Sequence, residues 1–161
     1  MDERVFEERI RALEPRLYRT AYALLWNDAD AADAMQECIL KAWRKLGSLK
    51  EEQRFDAWTM RILVNQCRDI QRRSKLKPLP FDEAIDKNAA AVQQSPPDIG
   101  LQEVLRELPQ KYRLPLLLHH MDGYSLEEIA SMLHVPLSTV KGRLYQARKL
   151  LKTLLEKEED R

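Results

Sequence analysis

Between residues 135 and 153 the chain carries Lys141, Arg143, Arg148, Lys149 and Lys152, and no acidic residue. Five cations without a counter-charge neutralise phosphates, a task that core packing does not impose. Among them Ser138, Thr139, Gly142, Tyr145 and Gln146 fall at helical spacing, a set suited to hydrogen-bonding base edges or lying against a groove wall. A second cationic block lies at 54–77, with seven basic residues against two acidic. There Arg61, Asn65, Arg68, Asp69, Arg72 and Arg73 recur at intervals of three, four and seven, on or near one helix face. Asn and Arg read base edges, and Arg also stacks on unpaired bases. Phe55 and Trp58 stand at the entry to this helix beside a polar loop, 48–54. Aromatic-plus-basic chemistry suits single-stranded nucleic acid, although Trp58 is expected to pack inward.

Helices must position these groups. Residues 3–26 show Phe6, Ile10, Leu13 and Leu17 at helical spacing, with Pro15 expected to restart or kink the stretch. Asn27, Asp28 and Asp30 supply turn and N-cap chemistry for a second helix at 28–46, whose predicted inward stripe is Ala32, Met35, Ile39, Ala42, Trp43 and Leu46. Gly47-Ser48 ends it. A third helix over 53–74 has Phe55, Trp58, Ile62, Cys67 and Ile70 available to face inward. Four prolines, Pro78, Pro80, Pro96 and Pro97, mark a linker at 76–98, expected to be mobile and to leave its neighbours loosely coupled. The competing form docks the linker through Leu79, Phe81, Ile85 and Val92.

Beyond it, Leu101, Val104, Leu105 and Leu108 predict one helix ending at Pro109, and Leu114 to Met121 another ending at Asp122-Gly123. Ser125-Leu126-Glu127-Glu128 is a capping box, opening a short helix with Leu126, Ile129, Ala130 and Leu133 on one face. His134-Val135-Pro136 breaks it. The next helix has a buried seam of Val140, Leu144, Ala147 and Leu151, with the cationic face opposite. A short helix, a tight turn and a basic second helix predict a helix-turn-helix that lays its second helix in a major groove. The fold class is all-α: two small helical domains, 1–75 and 99–161, joined by a flexible linker, 76–98.

Composition narrows the alternatives. The 161 residues hold 27 basic and 26 acidic side chains, so the net charge of +1 hides the two cationic blocks. Only 4 glycines disfavour a turn-dense β fold or a Gly-lined nucleotide cradle. No apolar run approaches the roughly 20 residues of a membrane span, and Met1-Asp2-Glu3-Arg4 does not resemble a signal peptide. Direct membrane insertion is therefore not expected, and a cytoplasmic location is. Cys38 and Cys67 are expected to be reduced, buried thiols. His119, His120 and His134 form no ligand set with them, so neither metal, cofactor nor catalytic group is expected. Adjacent His119 and His120 must point apart, one packed and one solvated. Capping and the helix dipole account for Asp28, Asp30 and Asp33.

The motifs also have an order. Asp30-Ala-Ala-Asp33-Ala-Met-Gln36-Glu37-Cys-Ile-Leu40-Lys41-Ala-Trp43 precedes Arg54-Phe55-Asp-Ala-Trp58-Thr-Met-Arg61-Ile62-Leu-Val-Asn65-Gln-Cys-Arg68-Asp69. Then come Leu108-Pro109-Gln-Lys-Tyr112-Arg113, Gly123-Tyr124-Ser125-Leu-Glu127-Glu128-Ile129-Ala130, and Val135-Pro136-Leu-Ser-Thr139-Val140-Lys141-Gly-Arg143-Leu144-Tyr-Gln-Ala147-Arg148. Over about 5–75 and 99–155 the chain resembles the extracytoplasmic-function (ECF) sigma factors, group four of the bacterial σ70 family. The resemblance implies a σ2 domain of three or four helices and a σ4 helix-turn-helix domain of four, with no separate domain before or between them. It implies a non-enzymatic protein that binds core RNA polymerase and directs promoter recognition and −10 melting.

By the same resemblance Asp30, Asp33, Gln36, Glu37, Leu40, Lys41 and Arg44 would bind the clamp helices of the polymerase's largest subunit, with the flap as a further contact. Ser48, Lys50, Arg54, Phe55, Arg61, Asn65, Arg68, Asp69, Arg72 and Arg73 would bind the −10 element and hold a flipped base. Ser138, Thr139, Lys141, Gly142, Arg143, Tyr145, Gln146, Arg148 and Lys149 would read the −35 element. An anti-sigma factor is an implied partner. Thr59-Met60 replaces the frequent Leu-Tyr, Gln66-Cys67 is less usual after Asn65, and Ser138 and Gly142 stand where many members have Gly and Ser or Thr. These departures bear on which promoter bases are read. The alternative, an autonomous regulator with 1–75 as sensor or dimerisation domain, does not explain the cationic block at 54–77. A protein-interaction adaptor explains neither block.

Overall fold

A computed structural model describes residues 1–76 and 99–159, and every regular element among them is helical. The chain divides into two compact units, Met1–Gln93 and Gln94–Arg161. The expected linker lies outside the described residues except for Leu76, which still belongs to a helix. Its expected mobility, and the docked alternative, therefore fall outside them too.

The N-terminal unit packs α1 (Glu3–Leu25), α2 (Asp28–Arg44) and α3 (Phe55–Leu76) against one another, with short 3₁₀ turns at Leu46–Ser48 and Glu52–Arg54. Asp2 caps α1 by accepting from the Val5 amide at 2.9 Å, and Asn27 caps α2 by accepting from Asp30 at 2.8 Å. α1 runs unbroken through Pro15 and does not restart there. Pro15 is on the exposed face of the helix, where the N–H it lacks is least costly, while buried Leu13 and Leu17 on either side hold the helix to the core. Trp26 then adopts φ 51° and returns its N–H to the Tyr22 carbonyl at 2.7 Å, ending α1. The Tyr18 hydroxyl donates to the Asp28 carboxylate, joining α1 to the start of α2.

The inward stripe of α2 keeps only Ala42 of the predicted one. Ala31, Ala34, Cys38 and Ala42 are buried, whereas Ala32 and Trp43 are exposed and Met35, Ile39 and Leu46 half-buried. Small side chains let α2 seat closely between its neighbours, so its larger apolar groups stay nearer the surface. α3 buries Phe55, Thr59, Met60, Leu63, Val64 and Cys67, while Trp58, Ile62 and Ile70 are only half-buried. An aromatic chain closes this end of the core. Phe6 lies 5.1 Å from Trp43 and meets Phe55 edge-on at 5.8 Å, and Phe55 lies 6.2 Å from Trp58, measured between ring centroids. Each such pair adds about 0.5–1.5 kcal/mol beyond its buried area.

The C-terminal unit comprises α4 (Ile99–Glu107), α5 (Gln110–Leu116) with a π-helical turn at Leu117–Met121, α6 (Leu126–Leu133) and α7 (Leu137–Glu159). Gly123 adopts φ 75°, which glycine tolerates, as the chain reverses towards α6. The capping box forms in full: Glu128 N–H donates to Ser125 Oγ at 3.1 Å, and Ser125 N–H to Glu128 Oε1 at 3.0 Å. His134 ends α6 at φ 57°, and Val135 N–H bonds the Ala130 carbonyl at 3.1 Å. α6 packs against α7, with Ile129, Met132 and Leu133 buried on the first and Val140, Leu144 and Ala147 on the second.

Candidate nucleic-acid interface

On α7 the seam of Val140, Leu144 and Ala147 is buried, and Leu151 half-buried. Ser138, Lys141, Gly142, Tyr145, Gln146 and Lys149 are exposed, and Thr139 and Arg143 half-buried at the flanks. Tyr145 is the most exposed large hydrophobic side chain among the described residues, at 63%. The expected −35 set thus forms a continuous surface, except that Arg148 turns to one side. Its Nε donates to His120 Nε2 at 3.1 Å, tying α7 to the π-helical turn. His119 donates from Nδ1 to the Tyr124 carbonyl at 2.9 Å and is half-buried, while His120 is exposed. The two histidines divide as their adjacency requires.

On α3, Arg61, Asn65, Arg68 and Arg72 share the face opposite the core by helix spacing, with Arg72 and Arg73 exposed and the first three half-buried. Asp69 pairs with Arg72 at 2.7 Å, so part of this face is internally compensated. Ser48, Lys50 and Arg54 are exposed on the connection preceding α3. The Ser48 hydroxyl donates to the Lys45 carbonyl at 2.7 Å, and Arg54 pairs with Glu51 at 2.9 Å.

Phe55 departs from the expected −10 set. It is 0% exposed, held by Phe6 and Trp58 with the Arg9 guanidinium 5.6 Å above its ring, and has no surface to offer a base. Its apolar ring at the first residue of α3 faces α1 across the core, and burying it outweighs any gain from the polar loop beside it.

The third expected set lies on α2. Asp33, Gln36, Glu37, Leu40 and Arg44 are exposed, Asp30 and Lys41 half-buried. Leu40 and Trp43 are 47% and 44% exposed, an apolar ridge beside the carboxylates. Asp30, Asp33, Gln36, Glu37, Leu40 and Lys41 form one wall of an open groove of about 1030 Å³, whose other wall is the α3 segment from Gln66 to Ser74. The fold therefore brings part of the expected polymerase-binding set and part of the expected −10 set to one groove.

Sequence reasoning assigned no role to Arg113. It is buried and donates from Nη1 to the carbonyls of Leu108 at 3.0 Å and Leu105 at 3.4 Å, engaging the end of α4. Burial, and next the nearby Arg106, lowers its pKa to about 10. The one signal in the sequence is a cation directly before the apolar run Leu114–Leu118. An apolar groove of about 320 Å³ also escaped notice; Leu116, Leu117, Met121 and Leu151 line it, with His120 and Arg148 at its rim. No described helix is long and apolar enough to cross a membrane.

Two units that are helical throughout their described regular elements, the second built on a helix-turn-helix with an exposed cationic face, have the architecture of a DNA-binding protein. Residues 9–76 match the family described as Sigma-70 region 2, and residues 99–151 that described as Sigma-70, region 4. The chain is 34% identical over 142 residues to RNA polymerase sigma factor SigV of Bacillus subtilis (strain 168), spanning 88% of this chain and 86% of that protein. It is also 34% identical over 154 residues to ECF RNA polymerase sigma factor SigM of Mycobacterium tuberculosis, spanning 96% and 79%. Its fold is similar to that of the sigma factor RpoE from Bartonella quintana, solved with the anti-sigma factor NepR, at TM-score 0.75 and 24% identity over 94% of this chain and 96% of that one. The chain belongs to the ECF sigma factors of the σ70 family.

Proposed function

We propose that the two cationic helices divide promoter recognition between them, α3 engaging the −10 element and α7 the −35 element, while the exposed face of α2 docks core RNA polymerase. The observation that carries this reading is the pairing of charge with fold. Each unit buries one stripe of its cationic helix and leaves the opposite stripe, with its Arg, Lys, Asn or Gln side chains, exposed or half-buried. Phosphate neutralisation and base contacts require that arrangement twice, once for each promoter element. The carboxylates and apolar ridge of α2 suit a basic, partly apolar polymerase helix. The groove beside Met121 offers an apolar surface for the flap. RNA synthesis itself belongs to the polymerase, and this chain contributes binding rather than catalysis.

An anti-sigma factor fits the same scheme, because one that covers the polymerase and DNA faces would silence the protein. The solved relatives RpoE and CnrH, bound to NepR and to the cytosolic domain of CnrY, support that partner class and a cytoplasmic location. The test combines purified core RNA polymerase, this chain and promoter DNA, scored for open-complex formation by permanganate reactivity of unpaired thymines. Chain-dependent melting over the −10 element is expected. Core binding without melting would remove α3 from its role, and absence of core binding would remove α2.

A further inference from the structure

Gly142 lies inside α7, past its first turn, where glycine is a poor choice for the helix. Two internal reasons keep glycine in such a place: a left-handed backbone, or a neighbour that a Cβ would strike. Neither applies. Gly123 is the positive-φ glycine among the described residues, and a Cβ built at Gly142 meets no heavy atom within 4 Å. No demand of the described structure accounts for the missing side chain.

The surroundings point outward instead. Ser138 and Gln146 stand one turn before and after Gly142 on the same face, flanked by Thr139 and Tyr145, with Lys149 a further turn on. The bare patch sits amid side chains of hydrogen-bonding and phosphate-neutralising chemistry. We propose that Gly142 is the point of closest approach between α7 and duplex DNA, where a base-pair edge lies directly against Cα and fixes how deep the neighbouring side chains reach. A thymine C5-methyl is the edge group such a contact accepts, since the patch offers van der Waals surface and no side-chain donor. Gly142 then determines specificity by its lack of volume, and this inference rests on the −35 reading of α7.

The test uses the full chain carrying Gly142→Ala, with Lys141→Ala as reference. Binding is measured as polymerase holoenzyme on a duplex that the wild-type holoenzyme selects from a library randomised over the −35 element. Gly142→Ala should raise the melting temperature of the C-terminal unit by about 4 °C, because alanine favours helix and has room. It should weaken duplex binding by about tenfold or more while leaving the slope of affinity against salt unchanged, since no charge is lost. Lys141→Ala should instead reduce that slope. A more stable Gly142→Ala protein that binds as tightly as wild type would overturn the close-approach assignment alone, provided Lys141→Ala is weakened. A melting temperature that falls would overturn it too, by revealing an internal need for glycine. If neither variant is weakened, the −35 reading of α7 fails, and this inference with it.

Discussion

Arg148 and His120, 28 residues apart in sequence, meet with the arginine Nε donating to the histidine Nε2 at 3.1 Å. That bond requires Nε2 to carry a lone pair, so it exists only with His120 neutral. Partial desolvation, then Arg148, then His119 push the pKa of His120 below its ordinary 6.5. The folded unit therefore binds fewer protons than the unfolded chain as pH falls through the ordinary histidine range. This group's contribution to stability is present above that range and is lost on acidification. The melting temperature of the C-terminal unit should fall more steeply below pH 6.5 in wild type than in His120→Gln, which keeps an acceptor without titrating. Thermal melts across that interval check it, and parallel curves would remove His120 as the source.

Glu37 stands exposed between Asp33 and Leu40 on α2. Glu37→Lys should weaken core-polymerase binding by about tenfold, on the scale of a rim charge reversed against a basic partner, with a slower association rate. Salt-dependent binding of the full chain to −35 duplex should not change. Fluorescence anisotropy with core enzyme and with DNA separates the two effects, and the reverse pattern would exchange the roles assigned to α2 and α7.

Burial of Phe55 has its own consequence. Phe55→Ala should cost about 3–5 kcal/mol of stability in the N-terminal unit, as for other large-to-small core changes. Phe55→Leu should keep most of that stability and bind −10 single strand as wild type does. Arg73→Ala, at an exposed position, should weaken the strand and leave the melt unchanged. Weaker strand binding by a fully folded Phe55→Leu would return Phe55 to the interface.

Cys38 and Cys67 are both buried and free, on the packed helices α2 and α3. Burial pushes each thiol's pKa up to about 12, with Cys67 adding to the rise at Cys38. At pH 8 only about 10⁻⁴ of such a thiol is the reactive thiolate. Alkylation of the native chain should therefore be far slower than after denaturation, when both should react at once. Mass spectrometry of timed quenches would show this, and rapid native labelling would mean that the α2–α3 contact opens readily.

The local features were legible in the sequence because their causes lie within a few residues of chain. The Ser125–Glu128 capping box, the break at His134-Val135-Pro136, the Asn27 cap and the seam of Val140, Leu144 and Ala147 depend on adjacent chemistry or on the helix period. The two cationic blocks were equally plain, since charge needs no partner to be counted. Tertiary structure decided what depends on packing. It kept Ala42 and added Ala31, Ala34 and Cys38 to complete the inner stripe of α2, because close helix contact favours small side chains over the bulkier Met35, Ile39 and Trp43. It packed Phe55, which the sequence offered both to the core and to the −10 strand, against Phe6, and sank Arg113 where carbonyls at the end of α4 meet its guanidinium. It also joined Arg148 to His120 and set the acidic wall of α2 across a groove from Arg72 and Arg73. Each of these depends on contact between separate helices, and burial and hydrogen bonding of that kind exist only once the helices have packed.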